Sequence, residues 1–149
     1  MLVGSYRRNL DDKMRLAIPK PLRDALGFPE KTDLFLTPGT DGSLAIYTAE
    51  RLTELGTALA QKSPAAQETR AFMRLFYAQA QPAEIDNQGR LRIPTELGKL
   101  ANLEGEVVLL GVRDHMEIWS SHAWEEFLGR TQPMYDQLAE RAFGEARNE

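Results

Sequence analysis

Short apolar segments at Leu16 to Ile18 and Leu91 to Ile93 predict two strands. Pro19 and Pro94 follow at once; a proline stops a strand and suits the first turn of a helix. A short helix is therefore expected near Lys20 to Leu26, closed by Gly27. Two strand pairs come next. Leu34 to Thr37 and Leu44 to Tyr47 flank Pro38-Gly39-Thr40-Asp41-Gly42, and Glu106 to Val112 and Met116 to Trp119 flank Arg113-Asp114-His115. Helical spacing then places Leu52, Leu55 and Leu59 on one face, and later Trp124, Phe127 and Leu128 on another. A further helix is expected between these groups, with Ser63 as N-cap and Pro64 at its first position. Phe72, Met73, Phe76 and Tyr77 mark its buried side, and Arg70 and Arg74 lie one turn apart on another. Met134 to Phe143 reads as a last helix with a modest stripe of Ala139, Ala142 and Phe143, and residues 144–149 are expected to fray.

These elements repeat. Asp11-Asp12-Lys13-Met14-Arg15-Leu16-Ala17-Ile18-Pro19 aligns with Asp86-Asn87-Gln88-Gly89-Arg90-Leu91-Arg92-Ile93-Pro94, matching Asp, Arg, Leu, Ile and Pro. Leu22 falls on Leu97, and Leu34-Phe35-Leu36 on Leu109-Leu110-Gly111. After a three-residue shortening, Ile46-Tyr47 falls on Ile118-Trp119 and Leu52 on Trp124. In each copy a short β segment runs into an Asp-Xaa-Xaa-Xaa-Arg turn, where Asp can bond its own backbone two residues on and Gly89 can take a positive φ. Four short strands and a few helices bury too little surface to stand alone, so the halves are expected to pair into one pseudo-symmetric α+β unit, a small barrel or an interleaved sheet.

The two motifs, the two-copy layout, the length and Glu117-Ile118-Trp119 before a helix together resemble the MraZ family, whose halves are SpoVT-AbrB-like DNA-binding modules. On that resemblance the first module spans residues 1–62, a connecting helix 63–79, the second module 80–131 and a helical tail 132–149. The resemblance implies a swapped-hairpin β-barrel made by both halves, with peripheral helices, and a ring-like homo-oligomer. It also implies sequence-specific binding to tandem short repeats in double-stranded DNA, and repression of the protein's own promoter ahead of cell-division and cell-wall genes. A cytoplasmic, nucleoid-associated location follows from the same likeness. The family commonly has Gly just before the motif Arg; the second copy keeps it as Gly89, whereas the first has Met14. If that turn needs φ > 0, Met14 is strained or the turn is altered.

Charge refines this picture. The formal net charge of -4 argues mildly against nucleic acid, because phosphate contact needs local positive potential. The charge is polarised, however: residues 1–32 carry seven cations against four carboxylates, and residues 115–149 three against seven. Arg7, Arg8, Lys13, Arg15, Lys20 and Arg23 gather at the first motif and are candidate DNA contacts, Arg15 through phosphate or a guanine edge. Arg90 is open to either a DNA contact or an internal pair with its motif Asp. Asp11 and Asp86 are read as structural, since a carboxylate repels phosphate. In the second copy Lys13 becomes Gln88, Lys20 becomes Thr95 and Arg23 becomes Gly98, leaving Arg90, Arg92 and Lys99, so the first copy is expected to be the main DNA face.

Other classes find little support. There is no cysteine, which removes disulfides, thiolate metal sites and a thiol nucleophile, and suits a reducing cytoplasm. No apolar run approaches the ~20 residues needed to span a bilayer, and no apolar stretch follows Arg7 and Arg8 to form a signal peptide. His115 and His122 lack a second metal ligand at useful spacing and are read as surface residues; Trp119 and Trp124 are read as core. Phosphate-loop, serine-elbow and zinc-protease motifs are absent, so no enzyme, cofactor, metal or small-molecule ligand is implied. The competing reading is a non-catalytic assembly or protein-binding module.

Overall fold

The structure, a computed structural model, describes residues 1–62 and 66–147. Ser63 and Pro64, expected to start the connecting helix, lie outside the described residues, as do residues 148–149. The first copy comprises β1 (Leu2–Asn9), β2 (Arg15–Ala17), α1 (Lys20–Ala25), β3 (Leu34–Pro38), β4 (Leu44–Thr48) and α2 (Ala49–Gln61). α3 (Gln67–Gln79) leads to the second: β5 (Gln81–Ala83), β6 (Arg90–Arg92), α4 (Thr95–Leu100), β7 (Glu106–Arg113), β8 (Met116–Ser120) and α5 (Ser121–Thr131). A 3-10 turn, Gln132–Met134, precedes α6 (Tyr135–Arg147). The last helix extends to Arg147, past residue 144, where the sequence pattern ends it.

Local chemistry sets the element ends in both copies alike. Pro19 and Pro94 sit at the N-cap of α1 and α4 in extended conformation. Thr48 Oγ1 accepts from the Arg51 amide and Ser120 Oγ from the Ala123 amide, each at 3.1 Å, so a hydroxyl caps the helix that closes each copy.

Strand pairing crosses between the copies. The six-stranded sheet runs β1-β7-β8-β4-β3-β5, and β2 pairs with β6 in a separate two-stranded ribbon. Each copy thus lends its first strand to the hairpin of the other: β1 lies against β7 and β5 against β3. A pseudo-twofold axis passes between β8 and β4, where Ala45 opposes Glu117. The sheet is open, not the closed barrel expected. β5 has only three residues, one of them Pro82, so it makes a short edge with little backbone to donate to a closing partner. Register also corrects the repeat alignment. Leu36 opposes Ile46 as Leu109 opposes Ile118, so Leu34 is equivalent to Val107, not to Leu109. The shortening is therefore divided between the α4–β7 connection and the β7–β8 hairpin.

One core joins the ribbon, the two short helices and one face of the sheet. Leu16, Ile18 and Leu22 of the first copy meet Leu91, Ile93 and Leu97 of the second, beneath Leu36, Ile46, Leu109, Met116 and Ile118 of the sheet. Leu16 and Leu91, opposite one another in the ribbon, have no exposed surface. Each Leu buried this way contributes about 1.5–3 kcal/mol, so the ribbon is tied firmly to the sheet. On the other sheet face Val108, Leu110 and Trp119 pack under Ala123, Trp124 and Phe127 of α5. α3 engages through Phe76, edge-on to Tyr47, and through Tyr77, whose hydroxyl donates to the Leu52 carbonyl at 2.9 Å. Phe72, expected on the buried side, is 46% exposed; it stacks on Phe76 one turn away. The stripe expected on the tail is likewise unburied, with Phe143 69% exposed on α6.

Candidate nucleic-acid interface

Both motifs fold into the same hydrogen-bonded cage. Asp11 Oδ1 accepts from the amides of Lys13 at 2.9 Å and Arg15 at 2.8 Å, while Oδ2 accepts from Arg15 Nε at 2.6 Å. Asp86 repeats this with the amides of Gln88 at 2.9 Å and Arg90 at 3.0 Å, and with Arg90 Nε at 3.1 Å. These donors hold both carboxyls below the usual range; the bond from the motif Arg amide is the largest cause in each. The residue before each Arg has positive φ: 58° at Met14 and 79° at Gly89. Met14 therefore adopts the glycine-like turn and carries the strain, of order 1 kcal/mol, that an L side chain incurs there.

The cages present the ribbon. Arg15 opposes Arg92, Leu16 opposes Leu91 and Ala17 opposes Arg90. Side chains alternate along a strand, so the buried leucines put Arg15, Arg90 and Arg92 together on the outer face. The ion pair of each motif Arg uses Nε and leaves the two terminal nitrogens without a protein partner among the described residues. The structure thus brings both copies onto one face, where the sequence suggested a main face and a poorer one. Arg92, which the sequence reading left among the leftover cations of the second copy, stands directly across from Arg15.

The remaining candidates are distributed differently. Lys13 is exposed on the first turn. Lys20 is exposed and pairs with Asp24 at 2.7 Å, one helical turn on. Arg23 lies with its guanidinium 5.4 Å from the Phe28 ring centre, and its Nε is buried without a hydrogen-bond partner. Arg7 and Arg8 are on β1, not the ribbon. Arg7 is held by Glu106 at 3.0 Å and by Glu125, which raise its pKa, Glu125 foremost. Arg8 donates to the Arg7 carbonyl and sits 5.8 Å from the Tyr6 ring centre.

A second ionic cluster holds the β7–β8 turn. His115, read from sequence as a surface residue, is mostly buried: Nδ1 lies 3.0 Å from Asp114 Oδ1 and Nε2 2.9 Å from Glu117 Oε2. Its ring stacks on Tyr47 of β4, and Trp119 Nε1 donates to the second Glu117 oxygen. Arg51 Nε of α2 lies 2.8 Å from Asp114 Oδ2, close enough for charge pairing but without the angle of a hydrogen bond. The imidazole pKa is raised, first by the bond to Glu117 and against burial, which lowers it. Among the described residues no group of His, Asp and Glu has the arrangement to hold a metal ion, and no helix is long and apolar enough to cross a membrane.

A family model described as MraZ protein matches this chain twice, over residues 1–75 and 76–146. The chain belongs to the MraZ family. Each match contains one Asp cage and one strand of the ribbon, so the internal repeat is the family's own two-part layout. Relatives named Transcriptional regulator MraZ include those of Lactiplantibacillus plantarum, 40% identical over 94% of this chain and 96% of the relative, and Alkaliphilus metalliredigens, 38% identical over 95% and 96%. The Moorella thermoacetica protein of the same name is 37% identical over 95% and 96%. The MraZ likeness thus runs through both cages, both ribbon strands and the α5 helix.

Proposed function

We propose that this chain is a DNA-binding transcriptional regulator whose contact surface is the outer face of the β2–β6 ribbon. The observation that carries the reading is the grouping of Arg15, Arg90 and Arg92 on one face, with Lys13 on the adjoining turn. A two-stranded ribbon fits the major groove, and guanidinium groups there can bond phosphate or the guanine edge. Like charges set opposite one another, as Arg15 and Arg92 are, destabilise a sheet unless an anion lies between them. The name borne by the relatives points the same way. Lys20 and Arg23 lie close in sequence on α1 and extend the basic face; Arg7 and Arg8 contribute only if DNA displaces the carboxylates on Arg7.

The finer reading is a sequence-specific repressor at the protein's own promoter, ahead of cell-division and cell-wall genes, acting on tandem short repeats within the nucleoid. Several copies in a ring would place the ribbon repeatedly along such DNA, and effective concentration would compensate for the few cations each chain offers. The crossing of β1 and β5 between copies agrees with a swapped-hairpin arrangement, although the sheet is open. Exposed Tyr135, Leu138 and Phe143 on α6 favour self-association through the tail. They are also the observation that supports the second reading, a non-catalytic assembly module.

The test is fluorescence anisotropy with duplex DNA from the protein's own upstream region at two salt concentrations. Wild type should bind this duplex over a scrambled one, and Arg15→Ala should lose most of the affinity. No preference for any duplex at low salt sinks the DNA reading and leaves the assembly module.

A further inference from the structure

We infer that Arg23, a residue of the first copy, serves the motif of the second, bringing a phosphate-binding guanidinium to the Asp86–Arg90 turn. The inference rests on the DNA-binding reading above. The two turns and the two short helices exchange contacts across the pseudo-twofold axis. Ile18 donates its amide to the Gly89 carbonyl at 2.9 Å, and Ile93 donates to the Met14 carbonyl at 2.8 Å. Side chains follow the same crossing. A Cβ on Gly89 would come 2.8 Å from Arg23 Nη1 and 3.0 Å from its Cζ, so the guanidinium lies directly over the second turn. A Cβ on Gly98 would come 2.9 Å from Met14 Cε, so Met14 covers the equivalent place on α4.

Positions 14 and 89 are equivalent in the repeat, as are 23 and 98. Each contact therefore joins one large and one small residue, and both large residues come from the first copy. One contact is closed by a thioether and the other by a cation. The cation goes where it is scarce: the second copy has Gln88, Thr95 and Gly98 at the places of Lys13, Lys20 and Arg23. Gly89 is thus needed twice over, for its φ of 79° and for the space that Arg23 occupies.

Arg23 is also suited to receive an anion. Arg7, Arg15, Lys20 and Arg90 each face a carboxylate. Arg23 has no carboxylate partner among the described residues; it lies against Phe28, and its buried Nε lacks an acceptor. No carboxylate among the described residues offsets its charge, and its planar fork suits a phosphate oxygen pair.

Double-mutant cycles measured by anisotropy on duplex DNA test this. Arg23→Met keeps the stem and removes the charge, reproducing at the second turn the plug that Met14 forms at the first. It should lower the salt slope by about one, as loss of one phosphate contact does. Its effect should be non-additive with Arg90→Ala and additive with Arg15→Ala, and Arg23→Lys should recover part of the loss. Coupling to Arg15 instead of Arg90, or a salt slope unchanged in a variant that melts like wild type, overturns the assignment while leaving the DNA reading intact. Absence of any wild-type binding overturns both.

Discussion

Replacing Arg92 by alanine should weaken DNA binding and stabilise the fold at once. Arg92 and Arg15 are directly opposed in the ribbon, and both project from its outer face. Like charges so placed cost roughly 0.2–1 kcal/mol. Removing Arg92 relieves that repulsion without touching the core, because Leu91 and Leu16 alone face inward. For a chain of this size, melting should rise by about 1–3 °C. The same change removes one of the five cations, Lys13, Arg15, Arg23, Arg90 and Arg92, that the face offers. Five phosphate contacts give log K a slope of about -4.5 against log salt, and loss of one reduces it to about -3.6. Arg92→Ala and Arg15→Ala should be compared by thermal unfolding and by anisotropy across a salt series. Arg15→Ala also leaves the Asp11 carboxylate without its side-chain partner, so it should weaken binding without the gain in melting temperature. A fall in melting temperature for Arg92→Ala, or a salt slope equal to wild type, would refute the composite face.

The other expectations concern the turns, the buried histidine and the tail. Met14→Gly removes φ strain of about 1 kcal/mol but uncovers Gly98, so its melting temperature should stay close to wild type; Gly89→Ala, strained in φ and pressed against Arg23, should lose at least ~1 kcal/mol in chemical denaturation. The raised pKa of His115 means its charged form is favoured by folding, so this stabilisation is present below the ordinary value of 6.5 and fades as pH rises through the folded pKa. His115→Gln should flatten stability across that range, and a wild-type profile already flat there would count against the clamp. Asp114 and Glu117, both lowered, act oppositely and lose their contribution as pH falls. Tyr135→Ala with Phe143→Ala should shift sedimentation toward smaller species; an unchanged distribution would remove α6 from the assembly surface.

Much of this was legible in the chain because the repeat is strict where geometry is strict. Asp, Arg and Pro each answer a local backbone need, so their spacing reports the cage directly. Thr48 and Ser120, the N-caps of α2 and α5, carry a signal the chain does display, a hydroxyl residue just before a helix. The place of Arg92 opposite Arg15 is illegible for a different reason. Arg90-Leu91-Arg92 alternates, which alone places both arginines on one face, but its partner across the ribbon lies 77 residues away at Arg15. The open sheet was also beyond reach, since closure depends on the length of β5 and on what lies beside it. His115 looked exposed because a tight turn usually is; the carboxylates at 114 and 117 and the Tyr47 ring bury it.

The interleaving has a consequence for how an acidic chain can hold DNA. Neither motif is finished by its own copy. Each turn receives an amide from the other half, each hairpin takes its edge strand from the other half, and the ribbon exists only as a pair. Folding therefore gathers cations from two distant stretches onto one surface, while α5 and α6 collect carboxylates elsewhere. At physiological salt, charges farther apart than about 8 Å are largely screened, so phosphate near the ribbon feels the local arginines rather than the net charge of -4. The same interleaving makes the two halves of the surface chemically unequal. Met14 closes one crossing contact with an apolar plug and Arg23 closes the other with a charge, so the two crossing contacts are chemically unlike. If the proposed face binds DNA, it would distinguish one direction along a duplex from the other, which a strictly symmetric ribbon could not do.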